Sequence, residues 1–415
     1  MWVTSSCSAV LTPTAVSLGN FDGLHLGHRQ VVQPILSRSA RLNSRDISAS
    51  GSPLRSLVSD RENLVREQDP AWDNHPAEPP AIALLNHNFD GYTGIRAEEK
   101  SVSGYDSDGV ERPYGTVVTF DPHPQEFFTG QPKKLLTPGS EKVELLEAMG
   151  VEQLVLLPFD RELADLTASE FVEQILVRQL QACRISVGMD FRFGRGRAGT
   201  ALDLQSIASS YGIDVTLIGL HTCGEGERIS SSVIRESLAS GDLKRANQLL
   251  GRAYSLVGTV VEGQRLGRTI GFPTANIELP LPKFLPRFGV YAVQVLVRML
   301  SSMLSKRDAV RIKDQSSSYE WENPKTLISD QESDLSILNG VMNVGCRPTV
   351  DGQQPTIEIH LLDWCGDLYG QTLSASLVEF LRPEQKFADL DALKTQIQAD
   401  CDVARRVLNE QRLKK

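Results

Sequence analysis

Along the first 245 residues, apolar positions fall into short continuous runs separated by segments of helical period. Residues 14–18, 116–120, 154–157, 185–187 and 215–218 read as buried strands. Helices are predicted from His25 to about Ser39, from Ser140 to Met149 with Gly150 as the stop, and through residues 202–211. Thr167-Ala168-Ser169-Glu170 is a capping box that opens a further helix running to about Ala182. Pro34 removes a backbone donor inside the first of these helices and predicts a kink. Strands alternating with helices predict an α/β domain, a mostly parallel sheet covered by helices.

From about Tyr254 the pattern changes. Residues 255–263, 289–297, 340–345, 356–364 and 373–381 are short strands separated by Gly and Pro turns, which predicts a small antiparallel β-barrel. A C-terminal helix follows, with Leu390, Leu393, Ile397, Cys401, Ala404 and Leu408 on one apolar stripe. The chain thus divides into a domain of residues 1–248 and a second of residues 249–415.

Two stretches interrupt this order, about 41–113 and about 301–338. Both are polar and rich in turn-forming residues, as in GSP, DNHPAEPP and DQSSSYEWENP, and both are predicted to be disordered loop insertions. A surface connection tolerates them, since lengthening it from ~6 to ~70 residues costs only about 2 kcal/mol of closure entropy.

Composition narrows the classes. The 415 residues carry 43 basic and 52 acidic side chains, a balance that argues against a general nucleic-acid binder and leaves small anionic ligands to local features. The six cysteines are scattered without a C-x-x-C, so reduced thiols and a cytoplasmic location are expected. The start lacks a basic n-region, and no run approaches the ~18 apolar residues of a membrane span. Oligomeric state is not readable.

Candidate chemistry in the first domain centres on residues 17–28, SLGNFDGLHLGH. A strand breaks into Gly19-Asn20-Phe21-Asp22-Gly23 and then presents His25-Leu26-Gly27-His28 at a helix start. Glycines allow close backbone approach and a helix N-terminus favours anions, so this segment suits a polyphosphate without a Walker lysine. A histidine pair that merely satisfies the turn is the structural alternative. Asp121 and His123 follow another strand, where they either reach the same rim or simply make a strand-end turn. In Gly188-Met189-Asp190-Phe191-Arg192-Phe193-Gly194, the Phe rings suit a planar ligand while Asp190 and Arg192 read polar edges. Ser231, Ser232 and Arg235 open a helix, either as plain N-cap chemistry or as donors on the far flank of a triphosphate.

In the second domain, EGQRLGRTIGFPTAN (residues 262–276) supplies Gly263, Gly267 and Gly271 for a tight phosphate loop, with Arg265 and Arg268 as charge. Thr274 and Asn276 offer hard oxygens on alternate residues, which suits Mg²⁺. In TIEIHLLD, Ile357, Ile359 and Leu361 face one way and Glu358 and His360 the other. Glu358 is then either a solvated strand residue or a general base for a substrate hydroxyl.

These segments, together with VTFDPHP, LLPFDRELADLTASEFVEQIL, VGMDFRFGRGRAG, RISSSVIRESLASGD, GVYAV, NVGCRPTV, LYGQ and EFLRPEQKF, closely resemble the bacterial bifunctional riboflavin kinase/FMN adenylyltransferases, the prokaryotic FAD synthetases. The resemblance covers nearly the whole chain, and only the two polar insertions depart from it. It implies a nucleotidyltransferase-type Rossmann-like domain joining FMN to the AMP part of ATP, then a flavokinase barrel phosphorylating riboflavin. His25 and His28 would hold ATP phosphates, Gly19, Asn20 and Phe21 would line the nucleotide site, and Asp190 would sit beside the flavin or adenylate. Ser231, Ser232 and Arg235 would contact the triphosphate from the other side. Thr274 and Asn276 would ligate Mg²⁺, with Glu358 the base. Two rivals remain: a single-activity adenylyltransferase with a flavin-binding barrel, and a non-catalytic flavin sensor.

Overall fold

The computed structural model describes residues 1–36, 112–219, 222–223, 227–263, 266–280, 282–298, 335–349 and 352–413. Most of both predicted insertions lies outside the described residues. The second ends earlier than expected, because residues 335–338 already belong to a strand. The chain forms two compact units. One comprises Met1–Asn20, Gln30–Pro132 and Leu146–Gly219; the other comprises Phe21–Arg29, Lys133–Leu145 and Leu220–Lys415.

The first unit holds strands β1 (Trp2–Thr4), β2 (Thr14–Leu18), β3 (Tyr114–Asp121), β4 (Gln153–Pro158), β5 (Ala182–Gly188) and β6 (Asp214–Ile218). Every pairing among them is parallel, in the spatial order β1-β4-β3-β2-β5-β6. The continuous apolar runs explain this arrangement. β2 is buried at every position, as a strand covered on both faces must be. Its Val16 and Leu18 join Val118, Val155, Ile185 and Val187 in one core, each side chain contributing about 1.5–3 kcal/mol. The predicted capping box is present: Thr167 Oγ1 accepts from Glu170 N at 3.3 Å, and Thr167 N donates to Glu170 Oε2 at 2.8 Å. Past it, Phe171–Gln179 winds as a π-helix, which the spacing of apolar residues does not distinguish from an α-helix. β1 was not legible, being three residues long. Leu36 and Gly115, on either side of the first polar stretch, are neighbours; a Cβ on Gly115 would lie 3.6 Å from Leu36 Cδ2.

Helix α1 (Leu26–Leu36) carries Pro34 inside it and buries Val31, Val32 and Ile35. α2 (Pro124–Thr129), α3 (Gly139–Ala148), α4 (Ala201–Ser209), α5 (Ser231–Ser240) and α6 (Leu243–Leu250) follow. In the second unit, β7 (Ser255–Val261), β8 (Ala275–Glu278), β9 (Gly289–Arg298), β10 (Leu335–Thr349), β11 (Gly352–Leu361) and β12 (Thr372–Pro383) close into an antiparallel barrel. The wall order is β7-β8-β11-β10-β9-β12. Its core takes Leu256, Tyr291, Met342, Ile359 and Leu377 from the strands and Ile234, Leu238 and Leu249 from α5 and α6. Asn247 fixes α6 to the barrel, its Nδ2 donating to Leu377 O at 3.0 Å and its Oδ1 accepting from Tyr254 N at 2.7 Å.

The closing helix α7 (Leu390–Leu413) lays Cys401, Ala404 and Leu408 against Val290, Ala292 and Val341. Leu390, expected on that stripe, is instead 62% exposed: it is the first residue of the helix, and the buried contacts begin further along.

Candidate active sites

In the second unit, the turn before α1 is built from residues in unusual backbone conformations. Phe21 (φ 48°), Gly23 (φ 92°) and Leu24 (φ 42°) all have positive φ, and only glycine adopts this without strain. Burial holds the other two in place, Phe21 and Leu24 each being 1% exposed. Polar groups of Asp22 and Gly23 are paired within the protein. Asp22 Oδ1 accepts from Thr137 N at 3.1 Å, and the Arg235 guanidinium pairs with Asp22 Oδ2. Asp22 O accepts from Ser231 Oγ at 2.7 Å. Gly23 N donates to Thr137 Oγ1 at 2.7 Å, and Gly23 O accepts from Arg252 Nη2 at 3.0 Å.

This places several predicted phosphate-site residues differently from the expectation. Asp22 is buried and anchors the turn, and the Gly23 N–H is directed at Thr137 rather than at an incoming anion. Ser231 and Arg235 reach the site, but through the turn they hold. The N-cap of α5 is Ser230, whose hydroxyl accepts from Val233 N; Ser232 follows within the first turn. Nothing in the sequence pointed to Thr137 or Arg252, because each meets the turn from more than a hundred residues away.

His25 and His28 lie where the spacing put them, at the start of α1. Their rings stack with centroids 3.6 Å apart and planes 14° from parallel, and Phe21 sits 5.4 Å from His28. His28 N donates to His25 Nδ1 at 3.2 Å, so the turn fixes His25 with its proton on Nε2. Gly27, between the two histidines in the first turn of α1, is half-buried. His28 as a residue is half-buried, but its Nδ1 is shielded from solvent and has no hydrogen-bond partner among the described residues. Burial, His25 and Lys142 together hold His28 well below the usual imidazole range, so it is neutral at pH 7.

In the first unit, the order β4-β3-β2-β5-β6 reverses direction between β2 and β5, a topological switch point whose carboxyl-end crevice binds ligands in open α/β sheets. Gly19 and Asn20 leave β2 there. Gly19 N donates to Val118 O at 3.2 Å, and Asn20 O accepts from Thr119 Oγ1 at 3.1 Å. Asp190 and Phe191 leave β5 at the same switch. Asp190 is exposed, and its Oδ1 lies 2.8 Å from where a Gly188 Cβ would be. Phe193 is a core residue, 5% exposed, and Phe191 stacks on it at 5.7 Å. The expected ring platform is therefore spent on packing at Phe193. His123 caps α2 through its Nδ1, which accepts from Gln125 N at 3.1 Å.

The barrel carries the other site. Ile357, Ile359 and Leu361 are buried, so Glu358 and His360 face outward as the alternation predicted. Asn276 on β8 is directly opposite Glu358, and Asn343 on β10 flanks Glu358 from the other side. Such opposed residues have Cβ atoms about 4.5–5.5 Å apart. Gly263 is required here because the Asn276 carboxamide occupies the space of a Cβ, and Thr274 Oγ1 lies 3.3 Å from where a Gly267 Cβ would be. His360 Nδ1 meets Pro273 O at 2.8 Å and pins the loop before Thr274; the carbonyl can only accept, so the imidazole donates. Arg268, Pro273 and Thr274 border a cavity of about 260 Å³ whose walls include Ile359, Trp364 and Tyr369. Arg265 lies outside the described residues. Asn343 was missed from sequence, and its only signal is the period of its strand.

A parallel sheet with a ligand-binding switch point and a closed barrel carrying a Gly-rich loop beside T-x-N and a glutamate define a nucleotide-handling transferase with two centres. Residues 7–49 and 110–233 match the FAD synthetase family, and residues 250–408 match the riboflavin kinase (flavokinase) family. The bifunctional riboflavin kinase/FMN adenylyltransferase of Escherichia coli K12 is 39% identical over 327 residues, 78% of this chain and 92% of that protein. The Haemophilus influenzae protein of the same name is 30% identical over 406 residues, 97% of each chain. A solved structure described as a macrolide-efflux protein from Streptococcus pneumoniae superposes with a TM-score of 0.63 at 24% identity, covering 97% of this chain and 98% of that one. That likeness speaks for the fold alone, and no helix among the described residues is long and apolar enough to cross a membrane. The chain belongs to the bifunctional riboflavin kinase/FMN adenylyltransferase family.

Proposed function

We infer that this protein phosphorylates riboflavin to FMN and then adenylylates FMN to FAD, using ATP in both reactions. The observation that carries the reading is the order of the two family matches along one chain, FAD synthetase over the parallel sheet and riboflavin kinase over the closed barrel. The catalytic modules are read as residues 1–248 and 249–415.

In adenylylation, an FMN phosphate oxygen attacks the α-phosphorus of ATP, the bond to the bridging oxygen breaks, and pyrophosphate leaves. The reaction needs little from the protein beyond alignment and charge stabilisation. His25 and His28 are proposed to hold the phosphates on which charge develops, with Gly27 letting the backbone approach. Gly19, Asn20, Asp190 and Phe191 line the nucleotide and flavin positions at the switch point. Phe21 supports His28, and Asp22, Ser231 and Arg235 hold the histidine turn, with Ser232 and the remaining Arg235 donors directed to the triphosphate.

In the kinase reaction, the riboflavin 5′-hydroxyl attacks the γ-phosphorus, its proton passes to Glu358, and ADP leaves. The cavity beside Trp364 and Tyr369 suits a flat ring, with Arg268 and Thr274 on its border, and Gly263, Gly267 and Arg268 are proposed to take the phosphates. The donor set of Thr274 hydroxyl and Asn276 amide oxygen, with Gly263 giving Asn276 its space, fits Mg²⁺. When bound, the ion would neutralise phosphate charge. The scattered cysteines agree with a cytoplasmic location, and the net charge of −9 with the lack of a nucleic-acid partner.

Incubation with riboflavin, ATP and Mg²⁺ followed by chromatography tests the reading. FMN and FAD together are the expected products. FAD from supplied FMN without any phosphorylation of riboflavin would leave an adenylyltransferase with a flavin-binding barrel, and no turnover would leave a flavin sensor.

A further inference from the structure

We propose that Lys283, which lies within the riboflavin kinase match, is a positioning residue for adenylyl transfer. The inference rests on the bifunctional reading and goes beyond it, since that reading gives no residue of the riboflavin kinase match a part in adenylyl transfer.

Lys283 is almost completely buried, and all of its hydrogen bonds run to the segment before and within α3. Its Nζ donates to Leu136 O at 2.9 Å and to Glu141 Oε1 and Oε2 at 2.8 and 2.6 Å. The Tyr254 ring lies 4.7 Å from the same ammonium. The backbone on either side adds to this grip. Leu135 N donates to Pro282 O at 2.7 Å, and Phe284 N donates to Leu135 O at 2.8 Å, so residues 282–284 pair with Leu135 as a short parallel bridge. The next residue but one, Thr137, holds the histidine turn through Asp22 Oδ1 and Gly23 N. An unbroken chain of short contacts therefore runs from Lys283 through Leu136 and Thr137 to Asp22 and Gly23, and from there to His25 and His28.

Charge explains why this link is specific. A buried ammonium needs both its carboxylate and further acceptors, and the Leu136 carbonyl supplies one. Removing the cation frees that carbonyl and lets the segment before α3 shift, and the turn shifts with it. A displacement of about 1 Å at reacting groups costs on the order of 10²-fold in rate.

The test compares wild type, Lys283→Met, and the charge-free pair Lys283→Met/Glu141→Leu, which avoids leaving Glu141 buried alone. Both activities, the melting temperature and the hydrogen exchange of the Gly23 and Thr137 amides are measured. The expected result is a fall of at least about 10-fold in kcat for FMN adenylylation, with a smaller change in KM for ATP. Riboflavin phosphorylation stays within about 2-fold, and the two amides exchange faster. Adenylylation unchanged in the charge-free pair would overturn the proposal. So would a parallel loss of both activities tracking the melting temperature, which marks a general structural role. Failure of the wild-type protein to make FAD would instead overturn the bifunctional reading.

Discussion

His28 lies flat against His25 at 3.6 Å while its own backbone N–H donates to the His25 Nδ1. One imidazole is thus fixed in tautomer by the helix start, and the other is held over it with a shielded Nδ1 that has no partner among the described residues. Such preorganised groups serve a developing charge better than mobile ones. His28→Ala is expected to lower kcat for FMN adenylylation by roughly 10²–10³-fold, with a smaller rise in KM for ATP. Riboflavin phosphorylation persists, so the variant stops at FMN. Steady-state assays of each step check this, and near-wild-type FAD formation would make the pair purely structural.

The same geometry sets a pH dependence. The folded protein holds His28 below its ordinary value of 6.5 through burial first, then His25 and Lys142. Below pH 6.5 the unfolded chain therefore takes up a proton that the folded chain refuses, and stability falls as pH falls from 6.5 toward the lowered folded value. Above 6.5 both forms are neutral and the contribution is flat. Urea midpoints measured from pH 7.5 to 5 should drop more steeply for wild type than for His28→Asn, which has no titrating group at that position.

Much of this architecture was legible because burial imposes a period. β2 and β11 were readable from apolar runs and from alternation respectively, and Asn276 lies opposite Glu358 because a strand register pairs them. The histidine turn was legible as a pair and not as a structure. The positive φ of Phe21 and Leu24 leaves no mark in residue type, since neither is a glycine. Thr137, Arg252 and Lys283 were invisible for another reason: each acts through a contact with residues far away in the chain, and a single sequence holds no record of such pairing.

The Asp22–Arg235 pair yields a stability prediction. Asp22 is 3% exposed, with its other oxygen already engaged by Thr137 N. Arg235→Met leaves that carboxylate buried without its cation and should cost about 3–5 kcal/mol. Adding Asp22→Asn, which keeps the shape and can still accept from Thr137 N, should recover part of the loss. Denaturant unfolding of the two variants measures both. Equal stability of Arg235→Met and wild type would show that the pair contributes nothing.

Glu358 separates the two reactions. It sits on the outer face of β11, between Asn276 and Asn343, within the riboflavin kinase match, while the histidine turn lies within the FAD synthetase match. Glu358→Gln preserves size and hydrogen bonding but cannot take a proton from the riboflavin hydroxyl. Loss of a general base typically costs ~10²–10⁴-fold, and that fall is expected in kcat for riboflavin phosphorylation. FAD formation from supplied FMN should stay within about twofold, because no step of adenylyl transfer uses this carboxylate. The paired assay also discriminates between roles for Glu358. A strand residue that merely packs would leave both rates near wild type with a lower melting temperature. Loss of both rates in a protein that melts normally would mean that the two chemistries share one centre.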